Sequence, residues 1–379
     1  MGVDCLRRVR FLLPDSFSDL GGPYKTVNLF REAVGGVVVS PTVKGRESVG
    51  DRGSNTEYVF TKQQHWFCGA AKMKLVNLLS DASLISCHMI FRGQNILCRE
   101  IAQKQNIPYW AVPHGSMDPW VFSYGRLQKE IWYKLIGKKY FDDARFVILA
   151  TERERDKMAG LYQGDNLRVV HWPVEPLDVS RREEFRESLR SRLGIDRDSR
   201  ILLFFGRYHS MKRPLETIEA FKSANPQETV HLVLAGIEYD VSEEQLKQAA
   251  GALDGKQVHV LGPVFGEERL EVLLGSDGYV SLSFRENFNH TAAESMTAGL
   301  PVILSMGNDL QFSFPKGSDF GWCLGTDEEA EFVSAISSFA DAPDSEIRKK
   351  GDSAREWACD YLSFERFRSK LLGLAEESV

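Results

Sequence analysis

The sequence predicts an α/β protein of two domains, each built on a parallel sheet, with a ligand cleft between them. Three observations carry this prediction. The chain has 379 residues, more than one hydrophobic core usually organises. Short apolar runs alternate with helix-like stretches along its whole length. A charged segment at 173–200 divides those runs into two sets.

The first set comprises VRFLL (9–13), GVVVS (36–40), LISCHMIF (84–91), YWAV (109–112), FVILA (146–150) and LRVVH (167–171). The second comprises ILLFFG (201–206), VHLVLAG (230–236), VHVLG (258–262), YVSLS (279–283) and PVIL (301–304). Runs that are continuous rather than alternating, and rich in Val, Ile and Phe, suit strands buried on both faces. The segment PVEPLDVSRREEFRESLRSRLGIDRDSR reads as a linker containing a helix. The expected domains are therefore 1–180 and 181–360. The last segment, YLSFERFRSKLLGL (361–374), has apolar residues at helical spacing and needs a surface to pack on. Ligands of such α/β domains sit at the carboxyl ends of the strands.

The composition is that of a globular protein, 43% hydrophobic and 26% charged, and a formal charge of -6 gives no support to a nucleic-acid binder. Six scattered cysteines (Cys5, Cys68, Cys87, Cys98, Cys323 and Cys359) contain no C-x-x-C pair, which argues against a disulfide framework or a zinc site. The first residues have too short an apolar run for a signal peptide, and Leu6 breaks the myristoylation pattern. No run approaches the about 20 apolar residues of a membrane span. The expectation is a cytoplasmic protein.

Four motifs point to chemistry. In SLSFRENFNHTAAESMTAGLPVILS (281–305), Glu286 follows a strand and Glu294 lies about one turn into a helix starting near Asn289. Ala292, Ala293, Met296 and Ala298 make that helix apolar on most faces, so a carboxylate there needs a partner such as a diol or a cation. A solvated glutamate on an exposed stripe is the plain alternative. Next, ILLFFGRYHSMKRP (201–214) places Arg207 and Lys212 just past a strand end, where cations suit a diphosphate. Basic residues after a strand are more often simply solvated. Third, His114 follows the YWAV strand and precedes Gly115, on a loop that can face a ligand or serve structure alone. Fourth, Gly21-Gly22-Pro23 follows the first strand; such glycines admit close approach of a ligand, or merely turn the chain.

Together the early GG loop, the strand–HG–PW segment, the GR…K element and E-x7-E with AGLPVI behind it resemble the GT-B-fold retaining glycosyltransferases of family four. The resemblance extends over nearly the whole chain. It implies two facing Rossmann-like domains, with helix 361–379 packing back on the first. It also implies transfer of a sugar, with retention, from a nucleotide-diphosphate sugar to a saccharide or lipid-linked acceptor in polysaccharide or glycoconjugate synthesis. Arg207 and Lys212 match the pair holding the donor diphosphate, and Glu294 the carboxylate on the ribose hydroxyls. Glu286 matches the carboxylate facing the transferred sugar, and His114 the histidine lining that sugar's pocket. Gly21 and Gly22 match the loop near the phosphates, while Phe288, Asn289, His290 and Thr291 form the donor-binding turn. No cofactor or metal is implied, since Arg207, Lys212 and the amides starting the helix near residue 290 stabilise the charge on the leaving phosphate. No protein nucleophile is needed, because that phosphate accepts the acceptor's proton. Two departures stand out. Family members often read E-G-F-G where this chain has Glu286-Asn287-Phe288-Asn289, and Asn-Gly where it has Trp172-Pro173-Val174.

Asp196-Arg197-Asp198 formally reads D-x-D, a metal-binding signature. It precedes a strand instead of following one and is expected to be solvated. No P-loop, nucleophile elbow or H-E-x-x-H occurs. Two stretches, 62–75 and 125–141, interleave basic and aromatic residues. They suit either snorkelling lysines on an ordinary helix or peripheral contact at an inner membrane face. An epimerase or a polymerase of the same fold, or a non-catalytic nucleotide-sugar-binding partner, are the competing readings.

Overall fold

The computed structural model describes residues 8–14, 22–43, 56–61, 69–123 and 125–379. Contacts cluster into two compact units. One comprises Met1–Pro173 with Phe364–Val379, the other Val174–Ser363.

The first unit is built on a seven-stranded sheet of β1 (Val9–Leu12), β2 (Val37–Val43), β3 (Thr56–Thr61), β4 (Leu84–His88), β5 (Tyr109–Val112), β6 (Phe146–Leu149) and β7 (Leu167–Val169). Their order is β3-β2-β1-β4-β5-β6-β7, and the pairs are parallel. The central strands β4, β5 and β6 are buried throughout, as their uninterrupted apolar runs require. Strand order reverses between β1 and β4, where Phe11 lies level with Ser86. Such switch points open a crevice at the strands' carboxyl ends. The closing helix Phe364–Ser378 covers this unit's helix Gly22–Val34. Phe367, Leu371, Leu374 and Ala375 are buried, with Phe367 edge-on to Phe30 at 5.3 Å.

The second unit holds a six-stranded parallel sheet of β8 (Arg200–Phe205), β9 (Val230–Ala235), β10 (Val258–Gly262), β11 (Gly278–Ser281), β12 (Val302–Leu304) and β13 (Gly321–Cys323). Its order, β10-β9-β8-β11-β12-β13, reverses between β8 and β11. Helices cover both faces. Leu202, Leu232, Val280 and Ile303 face one apolar cluster, whereas Ile201, Leu203, Val233 and Ala235 face the other.

Two strands were not expected from the sequence, and both are sheet edges. In β3 exposed and buried positions mix, and β13 has only three residues, none of them fully buried. An edge strand has no need of a continuous apolar run. The LISCHMIF run also stops short as a strand at His88, because Met89 and Phe91 adopt φ of 64° and 62°.

Candidate functional site

In the second unit the predicted site residues gather around the β8/β11 switch point. Past β8 the chain runs through Gly206 and the exposed Arg207, whose guanidinium lies 5.6 Å from the centroid of the Tyr239 ring. Tyr208 is buried and its hydroxyl donates to the Leu234 carbonyl at 3.0 Å, fixing the loop to the sheet. The short turn Ser210–Lys212 follows, capped by His209, whose ring accepts from the Met211 N–H at 3.0 Å. Lys212 then folds back across Gly206, where an added Cβ would stand 3.3 Å from the lysine's Cδ. A side chain at 206 would press on Lys212, which would have to give by a few tenths of an ångström.

The loop after β11 meets this turn directly, with the Phe284 N–H donating to the Met211 carbonyl at 2.8 Å. Glu286 does not follow the strand immediately, since β11 ends at Ser281. Its backbone is held on both sides: its N–H donates to the Gly307 carbonyl at 2.8 Å, and its carbonyl accepts from the Asp309 N–H at 2.9 Å. The Glu286 carboxylate forms an ion pair with Lys212. Lys212 and Glu286 are thus neighbours, each compensating the other's desolvated charge.

Asn289 sits at φ 55° and caps the helix His290–Thr297, its side-chain carbonyl accepting from the Ala292 N–H at 3.1 Å. Its amide group donates to Asn308 Oδ1 at 2.6 Å and Ser281 Oγ at 3.1 Å. Buried Asn308 in turn donates to the Ser281 carbonyl at 2.8 Å and Ser305 Oγ at 2.9 Å. Where a glycine would tolerate the left-handed backbone passively, Asn289 also ties the helix start to β11 and the loop after β12. Phe288 is buried with its ring 4.9 Å from that of His290, and Thr291 is the second residue of the helix. Ala292, Ala293 and Met296 are buried, as expected of this helix.

Glu294, on the same helix, is largely buried, and the protein itself supplies a partner. Arg269, from the helix Gly266–Gly275, donates to Glu294 Oε2 at 2.7 Å. Both carboxylates act electrostatically on Tyr279, whose phenol is pushed up first by burial and then by Glu286.

In the first unit His114 lies just past β5, at φ 53°, followed by Gly115 at φ 71°. This left-handed pair is held by Glu154, which is buried. One of its carboxylate oxygens accepts from the Gly115 N–H at 2.6 Å and the other from the Ala150 N–H at 2.7 Å. His114 Nε2 lies 2.9 Å from Nδ1 of buried His88, whose Nε2 lies 3.0 Å from Ser86 Oγ. Burial, and next the charge of His114, hold the His88 imidazole well below the ordinary histidine range. Trp172 stands 6.0 Å from His114 and edge-on to Phe30 at 5.3 Å, so this departure from the family pattern belongs to the first unit's aromatic core.

Gly22 begins the helix Gly22–Val34, and a Cβ there would meet nothing within 4 Å. Gly21 and residues 62–68 lie outside the described residues. Asp196, Arg197 and Asp198 are exposed, and Arg197 pairs with Glu187 at 2.6 Å. Among the described residues no group of three His, Cys, Asp or Glu could hold a metal ion, and no helix is long and apolar enough to cross a membrane. Arg269, Asn308, Glu154 and His88 are the participants that sequence reasoning missed. Each acts through a residue far from it in the chain, so local spacing carried no trace of it.

Residues 185–354 match the family model described as glycosyl transferases group 1. The D-inositol 3-phosphate glycosyltransferase of Streptomyces avermitilis is 27% identical over 227 residues, covering 56% of this chain and 48% of that protein. The GDP-mannose:cellobiosyl-diphosphopolyprenol alpha-mannosyltransferase of Xanthomonas oryzae pv. oryzae is 28% identical over 187 residues, covering 48% and 46%. The chain spans about half the length of the curated relatives it matches. Among solved structures, Anabaena HepE in complex with UDP and glucose superposes with a TM-score of 0.75 at 15% identity, covering 97% of this chain and 99% of that one. Sucrose-phosphate synthase from Thermosynechococcus elongatus gives 0.71 at 18%, covering 97% of this chain and 98% of that one. These likenesses show the fold: two Rossmann-like parallel-sheet domains of the GT-B class. The likeness to the glycosyl transferases group 1 lies in residues 185–354, a little under half of the chain.

Proposed function

We propose that this protein transfers a sugar, with retention and without a metal ion, from a nucleoside-diphosphate sugar to an acceptor hydroxyl in polysaccharide or glycoconjugate synthesis. The observation that carries the reading is the meeting of Lys212, Glu286 and the capped start of helix His290–Thr297 at one switch point, with Glu294 one turn along. A cation beside the first amides of a helix suits a diphosphate, and a held carboxylate suits vicinal hydroxyls. Similar proteins agree in kind: Anabaena HepE forms a complex with UDP and glucose, and the Xanthomonas relative is a GDP-mannose:cellobiosyl-diphosphopolyprenol mannosyltransferase.

In this reading the donor's phosphate draws Lys212 away from Glu286, which is then released to accept from hydroxyls of the transferred sugar. Glu294, steadied by Arg269, accepts from the ribose hydroxyls. Breaking the anomeric C–O bond leaves charge on the phosphate oxygens. Arg207, Lys212 and the helix amides stabilise that charge. The acceptor oxygen bonds to the anomeric carbon on the face the phosphate leaves, and that phosphate takes the acceptor's proton. No protein nucleophile takes part. In this reading His114 lines the sugar's pocket, its ring held beside the His88 nitrogen.

A thermal-shift panel of UDP, GDP, ADP and their sugar conjugates tests the reading, because a ligand that binds only the native state raises its melting temperature. One nucleotide and its conjugates should raise it in a saturable way, and product should form with an acceptor. No shift with any member would refute the donor site. Saturable shifts without turnover across an acceptor panel would favour a non-catalytic binder.

A further inference from the structure

The first unit carries a helical surface that holds none of the residues assigned to sugar transfer. The helices Gly69–Leu79, Gly93–Gln105 and Arg126–Trp132, the last continued by a turn at Tyr133–Gly137 and the helix Lys138–Asp142, cover one face of its sheet. Their inner residues join a single apolar cluster that includes Leu75, Leu97 and Phe141. Ion pairs link the helices in a row: Lys72 with Glu100 at 3.3 Å, and Arg99 with Asp143 at 2.5 Å.

The outer side of this layer is both apolar and basic. Leu127, Ile131 and Leu135 are 71%, 48% and 69% exposed, and Met73 is 68% exposed. Apart from Phe60 and the terminal Val379, the exposed large apolar residues described in this unit all lie on these helices. Leu127, Ile131 and Leu135 are spaced four apart. In an α-helix each such step drifts about 40° around the axis. Residues 133–137 instead form a π-turn, wider and turning less per residue, which returns Leu135 toward the line of Leu127. Meanwhile Trp132 and Tyr133 pack inward against the core cluster. Gly137 makes room for this arrangement, since a Cβ there would approach the Trp132 ring to 2.5 Å.

The charge around this ridge opposes that of the whole chain. These helical segments carry nine Lys or Arg against three Asp or Glu, in a protein of net charge -6. Arg126 is paired with Glu130 and Lys138 with Asp142, while Lys129 donates to the Val121 carbonyl. Lys134 and Lys139 are exposed beside the ridge. Isolated exposed leucines need no explanation, but an aligned apolar ridge inside a basic field does.

We propose that this helical layer docks the protein on an anionic phospholipid surface, with Leu127, Ile131 and Leu135 entering the headgroup boundary and the lysines meeting the lipid phosphates. The complementarity of a basic layer on an acidic protein is what selects this occupant over a second copy of the chain, whose own face would repel it. The proposal is independent of the transferase reading, and its test needs no donor.

The test is co-sedimentation of the full chain with phosphatidylcholine vesicles, with and without phosphatidylglycerol. Binding should appear only with phosphatidylglycerol and weaken as salt is added. Leu127→Gln with Leu135→Gln should lower affinity about tenfold or more. Lys134→Gln with Lys139→Gln should lower it on the order of fivefold per lysine removed. Circular dichroism of both variants should match the parent, because all four side chains are exposed. Absence of sedimentation with the anionic vesicles at low salt overturns the proposal, as does full binding by the leucine variant. A concentration-dependent dimer that the leucine pair dissolves would assign the ridge to a second copy and overturn it equally.

Discussion

Asn289 shows how one side chain can do more than the glycine often found at its place. It adopts a left-handed backbone, caps the helix His290–Thr297 and ties it to buried Asn308 and Ser281. Asn289→Gly keeps the backbone but removes those bonds. It should therefore lower unfolding free energy by about 1–2 kcal/mol in urea titrations; an unchanged midpoint would show the network to be idle. Lys212 and Glu286 make the complementary point. Both stand out in the sequence as candidates from their places past strand ends, but their pairing does not, because they lie 74 positions apart. Glu294 was legible for the opposite reason, as a carboxylate on an apolar helix that had to have a partner. The sequence could not say that Arg269 supplies one.

At the scale of elements, strands buried on both faces announced themselves through continuous apolar runs, and Tyr109–Val112 and Val258–Gly262 occur as read. Edge strands did not, since Thr56–Thr61 mixes exposed and buried positions and Gly321–Cys323 is short. The closing helix Phe364–Ser378 is an element whose purpose is clear only in three dimensions. Phe367 meets Phe30 and Trp172, Arg368 donates to the Ala33 carbonyl at 3.1 Å, and Trp110 donates to Ser378 Oγ at 3.0 Å. Phe367→Ala should cost about 3–5 kcal/mol, the usual loss for a buried aromatic. If differential scanning calorimetry shows no fall in melting temperature, the helix is not part of the first unit's core.

For the whole molecule, three buried imidazoles set an acid limit. His88, His231 and His259 are each held below the ordinary value of 6.5, chiefly by burial. Below that pH the unfolded chain takes up protons that the folded one does not, so stability is fully present above it and declines as pH falls, by at most about 1.4 kcal/mol per pH unit for each group. Urea unfolding between about pH 7.5 and pH 5.5 should show the decline, and His88→Asn should flatten it; a level profile would contradict the burial argument. Turnover should also survive excess EDTA, whereas loss of activity with rescue by Mn²⁺ or Mg²⁺ would remove the metal-free mechanism. The most direct test of the donor site is calorimetric titration with the nucleoside diphosphate that stabilises the protein, into the parent, Lys212→Ala and Glu294→Gln. The account predicts saturable binding by the parent and affinity lower by about tenfold or more in each variant, from loss of a charge-assisted contact. Undiminished binding in both variants would contradict it.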